Sequence, residues 1–143
     1  MDIPFTKEQY RTLLKIAFLG EWVANARKTE NFLDDVSDIQ QYIFSFAGKF
    51  GASELVEKRG REYDPTEALD TMLYPITEEH DSRAFWEQLV ERLADRDLVK
   101  EHGEEGIGKL DPEEYETQLD ERASVYEEEF EAFGLARLQV VED

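Results

Sequence analysis

The chain has 143 residues, 41% of them hydrophobic and 12% aromatic, with no cysteine and a formal charge of −19. That length predicts one domain with a sizeable core, and the apolar content argues against global disorder. The missing cysteine excludes a disulfide scaffold, a thiolate metal site and a cysteine nucleophile. The charge disfavours direct binding to a nucleic-acid backbone or an anionic membrane surface, which need clustered Lys and Arg.

That charge is uneven along the chain. Residues 1–60 carry 9 acidic and 8 basic side chains, a net of −1, whereas residues 61–143 carry 26 and 8, a net of −18. Such a field attracts a basic partner and steers its encounter, although acidity can also serve solubility alone. Met1-Asp2-Ile3-Pro4 has neither the basic n-region nor the apolar h-region of a secretory signal, so a cytoplasmic protein is expected.

Thr6 followed by Gln9 forms a capping box, with Phe5 and Tyr10 spaced as a hydrophobic staple. A first helix is predicted over residues 7–28, its last turn carrying Arg27 and Lys28 to suit the dipole. Within it, residues 13–26 form the longest apolar run of the chain, too short and interrupted for a membrane span of ~20 residues. Tyr10, Leu13, Leu14, Ala17, Glu21 and Ala24 share one face, and Phe18, Leu19, Trp22 and Ala26 the other. A helix apolar nearly all round is central in its fold or covered on its back by a partner.

Asp34 or Asp35 caps a second helix, with a stripe of Val36, Ile39, Ile43, Phe46, Ala47 and Phe50. Residues 54–59 are at best a short helix, and residues 60–64 a connection. Asp64-Pro65-Thr66-Glu67 starts a short third helix that ends before Pro75. A fourth begins near residues 79–82 and runs to about His102, burying Phe85, Trp86, Leu89, Val90 and Leu93. After a loop over residues 103–110, Asp111-Pro112 opens a fifth, with Tyr115, Leu119, Ala123, Tyr126, Phe130 and Phe133 as its stripe and Gly134 as its stop. The tail, residues 135–141, is apolar enough for a short strand or an extended packing segment. Together these elements predict an all-α, single-domain bundle of four to five helices with a short extended C-terminal tail.

Recognisable chemistry is sparse. Gly103-Glu104-Glu105-Gly106-Ile107-Gly108-Lys109 has the skeleton of a phosphate-binding loop, but Leu110 replaces the hydroxyl that holds magnesium and a helix precedes it. His80 and His102 would stand about 33 Å apart on one continuous helix and cannot share a metal within a chain. No serine sits in a nucleophile elbow, so no catalytic residue, metal ligand or cofactor is assigned.

Two features remain. Glu21 and Asn25 are polar residues in the most apolar helix, and Arg122 is the single basic residue between Asp111 and Gly134. A buried carboxylate needs a partner, so Glu21 is expected to pair with Arg122 or a tyrosine hydroxyl. That group is either a register-setting core contact or a polar pocket of Glu21, Asn25 and Arg122 for a ligand or for catalysis. The back face of Phe18, Leu19 and Trp22 is a candidate interface, with a homodimer among its occupants, unless the fold covers it. The acids of the last helix, Glu113, Glu116, Asp120, Glu127, Glu128 and Glu131, form the candidate acidic face. The favoured function is a non-enzymatic protein–protein interaction module whose acidic second half engages a basic partner, as an inhibitor, immunity-type protein, adaptor or nucleic-acid mimic would.

Overall fold

The computed structural model describes residues 3–141. Met1 and Asp2, the start of the segment considered as a signal, lie outside the described residues. The all-α expectation holds: the described residues are 67% helical, with four helices and a small two-stranded antiparallel sheet among them. Its helices divide between two compact units, Met1–Glu79 and His80–Asp143.

Helix α1, Lys7–Asn25, starts at the predicted capping box. Thr6 Oγ1 accepts from the Gln9 backbone at 3.2 Å, and Gln9 Oε1 accepts from the Thr6 backbone at 2.9 Å. Tyr10 stacks on Phe50, with ring centroids 4.2 Å apart. The helix stops three residues earlier than predicted, so Arg27 and Lys28 fall beyond its last turn. Asn25 Oδ1 accepts the Leu33 backbone N–H at 2.9 Å, which ties the returning chain to the helix end.

Helix α2, Asp34–Phe44, has Leu33 at its N-cap with no side-chain cap, and neither predicted aspartate fills that role. Asp35 instead accepts from its neighbour Val36. The helix ends at Phe44, and residues 45–51 continue as turns. Of the predicted stripe, Ala47 is buried and Ile43, Phe46 and Phe50 pack against the core, whereas Ile39 is 52% exposed and Phe44, off that stripe, is fully buried. Phe44 joins Tyr10, Leu14, Ala47, Leu55, Leu69 and Leu73 in the first unit's core.

Residues predicted as a short helix and a connection form a hairpin, β1 Val56–Arg59 and β2 Glu62–Pro65. Their antiparallel register pairs Val56 with Pro65 and Arg59 with Glu62 around a two-residue loop, Gly60-Arg61. Gly60 has φ of 66°, the left-handed conformation that tight hairpin turns demand. Strand character was hidden because five of the eight strand residues are charged, three of them consecutive at Glu57, Lys58 and Arg59. Gln41 stands beside the outer strand like a peptide group, donating to the Tyr63 carbonyl and accepting from its N–H, both at 2.8 Å. Asp64 and Pro65 consequently belong to β2, and the next helix opens at Thr66, whose carbonyl accepts from Leu69 and Asp70.

Helix α3, Glu67–Ile107, joins what the sequence suggested were two helices and carries Pro75 inside it. A mid-helix proline removes one hydrogen bond and costs about 3 kcal/mol. Burial of Leu69 and Leu73 before it, and of Val90, Ala94 and Leu98 after it, offsets that cost. The break comes at Gly103, where φ is 70°. Helix α4, Pro112–Phe133, has Asp111 at its N-cap, proline at its start and Gly134 at its C-cap, as predicted.

Candidate interaction surface

In the second unit, the 41 residues of α3 extend past the unit boundary and α4 runs back beside them. The seam is apolar at its centre: Val90, Ala94 and Leu98 of α3, spaced four apart on one face, are buried, as is Phe130 of α4. An aromatic ladder crosses it. Phe85 meets Trp86 edge-on, Trp86 lies 5.4 Å from Phe130, and Phe130 stacks on Tyr126 at 6.0 Å.

Polar contacts supply the rest of the seam. Tyr126 donates to Asp97, while Arg96 donates to the Tyr126 hydroxyl and to Asp97, each at 2.9 Å. The Tyr126 hydroxyl, with Arg96 assisting, holds the Asp97 carboxyl below its ordinary range, and burial then the Asp97 charge push the Tyr126 phenol up. Tyr115 donates to Asp95 at 3.0 Å, which raises the Tyr115 phenol. Arg122 donates to Glu101 and to the Gln118 carbonyl. His102 Nε2 lies 2.8 Å from Gln118 Oε1.

The exposed face of α4 is acidic. Helix α4 carries nine carboxylates and one basic residue, Arg122. Glu113, Glu116, Asp120, Glu127, Glu128 and Glu131 are all exposed. At 100° per residue they fall within a stripe about 120° wide running the helix length. None of the six carboxylates has an ion-pair partner among the described residues.

The sequence-predicted polar trio divides. Glu21 and Asn25 do meet: Asn25 Nδ2 donates to Glu21 Oε1 at 3.2 Å, to Ser37 Oγ at 3.1 Å and to the Leu33 carbonyl at 3.2 Å. Ser37 Oγ donates to the same Glu21 oxygen. The partners expected for Glu21, Arg122 or a tyrosine, are thus replaced by Asn25 and Ser37. Arg122 belongs to the second unit with Glu101. The network is satisfied internally and clamps α1 to the entry of α2. Ser37 gave no sequence signal, because a serine one turn into a helix resembles any other.

On the back of α1, Phe18 and Leu19 pack against the core and Trp22 is half-buried, while Ile16 and Val23 are the exposed apolar residues. The glycine-rich skeleton lies at the end of α3, partly helical, with Gly103 at the break. His80 sits near Asp81, far along α3 from His102. Among the described residues no group of three His, Asp or Glu side chains is placed to hold a metal, and no helix is long and apolar enough to cross a membrane.

Comparisons with protein-family models, curated proteins and solved structures give no match for this chain.

Proposed function

We propose that the protein is a non-enzymatic interaction module whose acidic second unit engages a basic partner. The carrying observation is the unneutralised carboxylate stripe along α4, displayed on the face that packing leaves free. A row of like charges costs folding energy through repulsion. Neutralisation by a basic partner relieves that cost and accelerates association, with a steep dependence on salt.

Capture from native lysate, with chemical cross-linking and mass spectrometry, tests it. The wild-type chain should retain basic proteins at low salt and lose them at high salt. A variant carrying Gln or Asn at Glu113, Glu116, Asp120, Glu127, Glu128 and Glu131 should retain few. Capture indifferent to that neutralisation, or none at low salt, refutes the proposal.

A further inference from the structure

At the open end of the aromatic ladder lies a groove of about 430 Å³ lined by Trp86, Glu87 and Val90 of α3 and Glu127, Phe130 and Glu131 of α4. Its floor is aromatic and aliphatic, and its rim is three carboxylates. None of the three takes part in an ion pair or hydrogen bond among the described residues. We propose that this groove seats an arginine side chain of a basic amphipathic segment in a partner protein. The guanidinium would lie against Trp86 and Phe130 and be held by Glu87, Glu127 and Glu131.

Arginine suits both halves of the site. Its planar guanidinium stacks on aromatic faces and pairs with two carboxylate oxygens at once, whereas a lysine ammonium is a strongly hydrated point charge. The same chemistry already operates within this unit. The Arg137 guanidinium lies 4.4 Å from the centre of the Phe133 ring, with Nε 3.1 Å from Glu129 Oε1. The groove repeats that ring-and-carboxylate pairing without an arginine of its own. A second copy of this chain is a poor occupant. Residues 80–143 hold 20 acidic and 7 basic side chains, so two copies would bring surfaces of net charge −13 together.

This assignment rests on the acidic-module proposal and narrows it to one site. The test uses the full chain with Trp22→Phe, which leaves Trp86 as its sole tryptophan. The probe is a synthetic amphipathic peptide of leucine and arginine, compared with versions carrying lysine or the neutral isostere citrulline. The arginine peptide should change Trp86 emission saturably, the lysine peptide should bind more weakly, and the citrulline peptide should not bind. Glu87→Gln/Glu127→Gln/Glu131→Gln should weaken the arginine peptide by about tenfold or more, against about threefold or less for Glu113→Gln/Glu116→Gln/Asp120→Asn. All these substitutions are on the surface, and circular dichroism checks their folding.

Three results overturn the groove. An unmoved Trp86 signal removes the groove, and equal weakening by both triple variants places the peptide on the α4 stripe; either leaves the broader acidic-module proposal standing. Equal affinity for the lysine peptide removes the arginine assignment. Sedimentation showing that the groove substitutions abolish a dimer assigns the site to a second copy. Failure of lysate capture, by contrast, removes the broader proposal whatever the peptide does.

Discussion

The two units solve the same problem with different materials. In the first, two helices, a hairpin and the start of α3 enclose a contiguous core from Tyr10 to Leu73, and its buried polar side chain, Asn25, is fully bonded. In the second, a pair of helices buries four apolar residues, and its seam is completed by tyrosine, arginine and carboxylate contacts. Hydrophobic burial responds only weakly to moderate salt and to pH near neutrality, whereas a polar seam inside a net negative charge responds to both. One chain therefore joins a condition-tolerant core to a condition-sensitive surface.

The sharpest way to break this contrast is to open a cavity in the first unit. Phe44→Ala should cost about 3–5 kcal/mol, read by urea unfolding, because Phe44 is fully buried. Loss below about 1 kcal/mol would mean that the cluster is not the source of stability. Next comes Asn25→Ala, which strands the Leu33 N–H, leaves Glu21 bonded to Ser37 alone and should cost about 1–3 kcal/mol. Faster amide exchange at Leu33 would localise the damage.

In the second unit, Tyr126→Phe should cost about 1 kcal/mol while leaving the first unit's exchange rates unchanged. It also carries a pH signature. The folded Asp97 pKa is depressed, so its contribution is present above the unfolded carboxylate value near ~3.9 and disappears as pH falls through the folded value. An acid titration followed by exchange at α4 amides should show this component in the wild type and a smaller one in Tyr126→Phe, where the Arg96 contact remains. The first unit answers at the opposite extreme. Burial pushes Tyr10 up to about 12, so the folded state favours the neutral phenol. Its contribution holds below the unfolded value near ~10 and vanishes as pH rises towards 12, visible as late phenolate absorbance.

The smallest expected effect is that of salt. Raising ionic strength should stabilise the second unit by a few tenths of a kcal/mol through screening, and the first unit less. Equal responses would show that the α4 stripe carries no appreciable strain.

Local signals alone located several features. Thr6 and Gln9 make a capping box from their own side chains and backbones, and Asp111, Pro112 and Gly134 act within one turn of where they stand. The acidity of α4 is legible for the same reason, since charge is additive along the chain. Elements that depend on distant partners were not legible. The strands at Val56–Arg59 and Glu62–Pro65 exist because they pair with each other and with Gln41. α3 runs through Pro75 because cores on either side hold it, and a proline judged alone reads as a stop. Glu21 drew attention by its misplaced polarity, but its choice of Ser37 over Arg122 was decided by which chain segment folds back over α1. Sequence thus determined the cap of α1, the bounds of α4, the helical bias and the sign of the surface, because those act through neighbours along the chain. Tertiary structure decided the hairpin, the run of α3 through Pro75 and the groove at Trp86, because each requires side chains far apart in sequence to share one place.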